Sequence, residues 1–264
     1  MMPADLQGLR VLVTRPQQQA APLCAKLAQA GAVAVPFPTL EIVPVTEQDP
    51  DAASLRRCFL NLDQYHAVLF VSANAARLAH AWIDHYWPQL PLRVHWLAVG
   101  QATAAALTQL GFNASGAAGG MDSEALLASP QLQRLEHTKI LICRGEGGRE
   151  LLRDTLVSRG ATVDYAELYR RQRPPYRAEE IESRIYDLLP SAMLVSSGEA
   201  LTNLLTLTGG RQLLNIALVV PSQRVAEQAQ AAGFKTVITA ANATDDAMIT
   251  ALVGVVSLDT SKRG

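Results

Sequence analysis

The chain is written twice. The stretch RVLVTRPQQQAAPLCAKLAQAGAVAVPFPTLEI from Arg10 aligns without gaps on KILICRGEGGRELLRDTLVSRGATVDYAELYRR from Lys139, 129 positions later. Arg15 falls on Arg144, Leu23 on Leu152, Leu27 on Leu156 and Gly31 on Gly160, so one strand, turn, helix, turn and strand recurs. Further blocks keep the same order at a slightly shorter offset. AVLFVSANAARL from Ala67 matches AMLVSSGEALTNL from Ala192, placing Ser72 on Ser197; QATAAALTQLGF from Gln101 matches QRVAEQAQAAGF from Gln223; MDSEALL from Met121 matches ATDDAMI from Ala243. A supersecondary unit that recurs implies two similar lobes, with a cleft expected between them.

Length agrees. A chain of 264 residues accommodates two domains of about 100 to 150 residues, each able to bury its own core. With 49% hydrophobic residues, 18% charged and a net charge of -1, there is no basic excess to hold nucleic acid through its phosphates. The N-terminus reaches its first strand without a basic-then-apolar leader, and no apolar run approaches the roughly 18 residues of a membrane span, so a cytoplasmic protein is expected. Cys24, Cys58 and Cys143 are odd in number and lack CxxC spacing, which points to reduced core residues and away from a disulfide framework or zinc.

Short apolar runs alternate with stretches of helical period: VLVT, a helix over Pro22 to Ala30, VAVPF; AVLFV, a helix over Ala75 to Ile83; VHWLAV, a helix over Ala102 to Leu110. That alternation is the βαβ signature of parallel sheets, so the fold expected is α/β with two parallel-sheet lobes. After the second strand of each repeat the chain runs on extended, as PTLEIVPV from Pro38 and AELYRRQRPPY from Ala166. Two such crossings at equivalent places would make one lobe discontinuous, of residues 1–37 and 173–264, and the other continuous, residues 38–172, with linker strands near 38–45 and 166–172. Surface loops between two sequential domains are the alternative. The tail after Val256 reads as frayed.

The turn Arg144-Gly145-Glu146-Gly147-Gly148-Arg149 lies between a strand and a helix, where glycines let backbone N–H groups approach an anion at the positive helix end beside two arginines. As a dinucleotide fingerprint it fails where Glu150 replaces a small residue. Its partner Thr14-Arg15-Pro16 lacks glycine, so arginines gripping separated carboxylates suit both turns better than a pyrophosphate. Ser72-Ala73-Asn74 and Ser196-Ser197-Gly198 occupy strand-to-helix junctions, where capping and ligand binding can coexist. No GxSxG elbow, HExxH, clustered Asp or Walker A sequence appears, so hydrolase chemistry is disfavoured and no apparatus for metal or phosphoryl-transfer chemistry is expected. Tyr169 lies in the second crossing beside the basic run Arg170, Arg171 and Arg173; its phenol could donate a proton to a departing hydroxyl or simply pack.

VLVTRP at Val11, FVSANA at Phe70, VGQATA at Val99, ILICRGEGGRELL at Ile140, AELYRR at Ala166 and VSSGEALTNL at Val195 together resemble the uroporphyrinogen-III synthase family across nearly the whole chain. The resemblance implies two α/β lobes joined by a two-stranded linker and a cofactor-free, monomeric lyase of tetrapyrrole biosynthesis. Its substrate would be hydroxymethylbilane, a small-molecule polycarboxylate, closed with loss of water and inversion of the last ring. The same likeness makes Tyr169 the candidate for assisting hydroxyl departure, and Thr103, Ser72, Ser197 and Ser222 candidates for substrate carboxylates. Asn74, Arg15, Arg144, Gly145, Gly148 and Arg149 complete the candidate binding set, and Arg224 stands beside Val220-Pro221-Ser222, where the family commonly has Gly-Pro-Thr. Two other readings stay open: a non-catalytic two-lobed receptor for an anionic metabolite, and a nucleotide-dependent oxidoreductase using the Gly145 turn.

Overall fold

The computed structural model describes residues 6–116, 123–148, 150–209 and 211–263. β1 (Arg10–Val13), α1 (Gln17–Gln29) and β2 (Val33–Pro36) open the chain. There follow β3 (Glu41–Pro44), α2 (Ala52–Leu60), β4 (Ala67–Phe70), α3 (Ala73–Tyr86), β5 (His95–Ala98), α4 (Gln101–Gln109), β6 (Ala114–Gly116), α5 (Ser123–Leu127), β7 (Lys139–Gly145), α6 (Leu151–Ser158) and β8 (Thr162–Gln172). The last third carries α7 (Ala178–Ile181), β9 (Ala192–Leu194), α8 (Gly198–Thr208), β10 (Ala217–Val220), α9 (Gln223–Ala231), β11 (Val237–Thr239) and α10 (Asp245–Arg263).

The chain divides into two compact units, one taking everything up to Glu41 and from Gln172 onward, the other Ile42–Arg171. In the first, five strands lie in the order β11-β10-β9-β1-β2, every neighbouring pair parallel. In the second, β8-β7-β4-β5-β6 are parallel and β3 is hydrogen-bonded at the edge beside β8. Matching the sequence repeats, β1 with β7, β2 with β8, β9 with β4 and β10 with β5, makes the order of the five parallel strands the same in both sheets, β3 being extra in the second. Each is the doubly wound order 2-1-3-4-5, entered by the chain at a different strand.

Period-two burial builds both sheets. In β4, Ala67 and Leu69 face one core while Val68 and Phe70 face the other; in β7, Ile140 and Ile142 pair with the former side, Leu141 and Cys143 with the latter. Helices α2, α3 and α4 cover one face of this sheet and α5 and α6 the other. The first unit repeats the plan, with α8 and α9 on the Leu12 side of β1 and α1 and α10 on the Val11 and Val13 side. Gly31 and Gly160 follow the matching helices α1 and α6 with φ of +85° and +91°, the left-handed region that lets a helix stop without a Cβ clash.

Two expectations are corrected. The first helix begins at Gln17, five residues before Pro22, because Ala20, Leu23 and Leu27 bury one stripe and Pro16 ahead of the helix already has an extended backbone; Pro22 sits inside and forfeits one intrahelical hydrogen bond. The tail after Val256 is helical as far as Arg263, continuing α10, which Met248, Leu252 and Val255 anchor to the sheet. Among the described residues, no helix is long and apolar enough to cross a membrane.

Candidate active site

Ligands of doubly wound sheets bind beyond the carboxyl ends of the strands, at the point where the strand order reverses. In the unit Ile42–Arg171 that point lies between β7 and β4, and a cavity of about 360 Å³ opens there, within the size range of small-molecule sites. Arg144, Gly145, Gly147 and Gly148 from the end of β7, Tyr165, Tyr169 and Arg171 from β8, and Ser123 and Glu124 from α5 are among its lining residues.

The glycine turn holds two left-handed residues, Gly147 with φ +70° and Gly148 with φ +114°. Gly145 serves differently from expectation: it needs no positive φ, but a Cβ built on it would lie 2.4 Å from Cε2 of Tyr169 and 2.6 Å from Cζ. Bare backbone is therefore the floor on which the Tyr169 ring lies. A register shift brings the two together, since Glu167 pairs with Arg144 whereas Tyr169, one residue later than plain alternation requires, pairs with Gly145. The Glu146 N–H donates to the Tyr169 carbonyl at 2.8 Å, and the phenol oxygen lies 3.1 Å from Oγ of Ser72, which also caps α3 by accepting from Ala75 N–H at 3.0 Å. Tyr169 is only 5% exposed, so its hydroxyl is held at a defined place.

Arg144 is 6% exposed, and a charge so buried requires partners. Its guanidinium donates to Glu150 at 3.2 Å and to the Gly145 carbonyl at 3.2 Å, approaches Glu167 at 3.6 Å and lies 4.4 Å over the Tyr165 ring. The Tyr165 hydroxyl donates to Glu150, and this bond, with Arg144, holds the Glu150 carboxyl below its usual range. Burial and the bond to Glu150 push the Tyr165 phenol up to about 12. Glu167 Oε1 also accepts from Gly147 N–H at 3.4 Å. The turn groups an arginine and a glycine amide around a carboxylate, and that carboxylate is the chain's own Glu167.

The remaining candidates divide by unit. Asn74 is half-buried in the first turn of α3, and Thr103, 4% exposed, is the third residue of α4. Arg15, Ser197, Ser222 and Arg224 belong to the other unit. Arg15 is not an open cation, because its guanidinium pairs with Asp245 at the start of α10 and with the Ala243 carbonyl. Ser197 caps α8 through Ala200 N–H at 3.1 Å; Ser222 precedes α9 without capping it, and Arg224 is exposed in the first turn. Arg149 lies outside the described residues. Asp164, at the position where a ribose ligand would be sought, accepts from the Tyr65 hydroxyl at 2.9 Å. Among the described residues no group of three or more His, Cys, Asp or Glu side chains is placed to hold a metal, and all three cysteines are free.

Sequence reasoning missed Tyr165, Glu150 and Glu167 as the setting of Arg144. Strand alternation puts Tyr165 and Glu167 on one face of β8 and was a usable signal. Missed too was the difference between the two arginines. The repeat that places Asp245 against Arg15 puts Ser123 at the corresponding position beside Arg144, so one copy of the turn is closed by a carboxylate where the other borders a cavity.

Fold and site define a duplicated doubly wound α/β protein with a glycine turn that holds its own Glu167 carboxylate and a fixed tyrosine at a strand-order reversal. The description of uroporphyrinogen-III synthase HemD matches residues 21–250, and the chain belongs to the uroporphyrinogen-III synthase family. It is 35% identical over 249 residues to the uroporphyrinogen-III synthase of Salmonella typhimurium, spanning 92% of this chain and all of that one, and 34% identical over 254 residues to that of Escherichia coli, with the same coverage. Crystal structures of a mutant uroporphyrinogen III synthase from Thermus thermophilus (TM-score 0.62, 18% identity, 95% of this chain and 100% of that one) and of the Helicobacter pylori uroporphyrinogen-III synthetase (TM-score 0.61, 14% identity, 94% and 99%) share the fold.

Proposed function

We propose that the chain closes hydroxymethylbilane to uroporphyrinogen III, with loss of water and inversion of the last pyrrole ring, ring D. Family membership over residues 21–250 carries this reading, and the cavity beside Tyr169 supports it. The reaction begins when the terminal hydroxyl leaves as water, taking a proton from the Tyr169 phenol, and an electrophilic azafulvenium cation remains. Attack through a substituted carbon of ring D gives a spiro intermediate; its fragmentation and reclosure turn the ring over, and the proton released as the pyrrole regains aromaticity restores the phenol.

The uncatalysed closure gives the symmetrical isomer, so the protein's task is to favour one transition state over another by positioning. Residues at the ends of β4, β5 and β7 hold the ring substituents. The N-terminal amides of α3, Asn74 and Thr103 hold acetate and propionate groups, and Gly148 leaves the turn open to them. Arg144 receives an incoming carboxylate when Glu167 gives way. Ser197, Ser222 and Arg224, with Arg15 held by Asp245, lie at the matching strand ends of the sheet of the other unit. Incubating purified protein with hydroxymethylbilane and resolving the oxidised products by isomer tests the reading: the type III isomer is expected in excess, and the symmetrical isomer alone overturns it.

A further inference from the structure

Two departures from the internal repeat converge on one serine of the second unit. Where the first copy has Pro16 the second has Gly145, where the first has Leu40 the second has Tyr169, and the serine they meet is Ser72. Its counterpart Ser197 makes the same capping bond, to Ala200 N–H at 3.1 Å, so capping accounts for a serine at both positions. It does not account for a phenol 3.1 Å from one of them, on a glycine that leaves no room for any side chain beneath the ring.

Hydrogen-bond accounting gives the pair a direction. A serine hydroxyl has one proton and two lone pairs. One lone pair of Ser72 is taken by Ala75 N–H, and the proton remains to be given. Were the Tyr169 proton directed at Ser72, it would be withheld from a leaving group. We propose that Ser72 is a positioning residue for Tyr169, donating its hydroxyl proton to the phenol oxygen so that the phenol's own O–H is left for the substrate. This rests on the proton-donor reading of Tyr169 given above.

The step balances. As the carbon–oxygen bond of the hydroxymethyl group breaks with its electron pair on oxygen, the Tyr169 proton passes to that oxygen and water departs. Negative charge then develops on the phenol oxygen, where the hydrogen bond donated by Ser72 strengthens and the positive end of α3 adds to it. The proton lost at ring closure returns to Tyr169. Ser72 keeps its own proton throughout.

A double-mutant cycle tests the assignment, with kcat and KM for hydroxymethylbilane measured for Ser72→Ala, Tyr169→Phe and the pair. Ser72→Ala is expected to lower kcat about tenfold, the worth of one hydrogen bond to a developing charge, with KM little changed. In the Tyr169→Phe background the same change is expected to have no further effect on kcat, because the group it serves is gone. Ser72→Thr, which keeps both hydroxyl and cap, is expected to restore turnover. Losses that multiply in the double variant would overturn the assignment alone and make Ser72 an independent contact. Full turnover in Tyr169→Phe would overturn the proton-donor role and the assignment with it. A Ser72→Ala protein of lowered Tm and undiminished kcat would reduce Ser72 to a cap.

Discussion

A methyl group on Gly145 would have to displace a ring that three other restraints hold: the Glu146 N–H on its backbone carbonyl, Ser72 on its hydroxyl and the surrounding core. Gly145→Ala is therefore expected to destabilise the protein by about 1–3 kcal/mol through overpacking, seen as a lower Tm. Its kcat should fall toward that of Tyr169→Phe, which losing a general acid lowers by about 10²-fold or somewhat less. An alanine variant with normal turnover would mean that the ring can move without consequence. The sequence marked Gly145 as important for another reason, backbone freedom in an anion-binding turn. That freedom is used at Gly147 and Gly148; at Gly145 the need is space, and space depends on a residue 24 positions away paired through an irregular register. Arg144 teaches the same lesson. Its charge and place at a strand end were legible, but the two carboxylates and the phenol around it come from later elements.

Among elements, the edge of the second sheet is held by a small polar knot. Asp49, between β3 and α2, accepts from the N–H and the hydroxyl of Thr46, each at 2.8 Å, and from Arg170 of β8 at 3.1 Å; Arg170 also reaches Asp51 at 2.6 Å. The Thr46 bonds foremost, then Arg170, hold the Asp49 carboxyl below its usual range. A carboxyl depressed in the folded state contributes stability that is complete above its unfolded value, about 3.9, and is lost as pH falls through the folded value. Asp49→Asn is expected to lower Tm at pH 7 and to flatten the fall in Tm below about pH 4, as followed by circular dichroism at stepped pH; an acid limb as steep as the parent's would remove Asp49 from this role. Periodicity exposed the helices and strands themselves because each buries a stripe or a face that repeats locally. It misjudged the start of α1, since proline's liking for a first turn outweighed, on paper, the apolar stripe that begins earlier.

For the molecule as a whole, the continuous unit Ile42–Arg171 owns a sheet with helices and buried side chains on both faces. A chain of residues 42–171 alone is expected to fold, with a cooperative thermal transition and native-like helical circular dichroism; a fragment without such a transition would show that its core is insufficient. Duplication explains why the other unit needs both chain ends: the two copies of one strand order are entered at different strands. By itself the sequence determined the repeat, the alternation of strands and helices, and the placing of arginine and serine at strand ends, because burial patterns of period two and near three and a half are written in neighbouring residues. Only the tertiary structure decided that one arginine turn is closed by Asp245 while the other borders a cavity, that Glu167 occupies the glycine turn, and that Tyr169 meets Ser72 across 97 positions. Those outcomes depend on strand register, a single extra residue in β8 and the competition of distant side chains for the same charge, none of which a local pattern encodes.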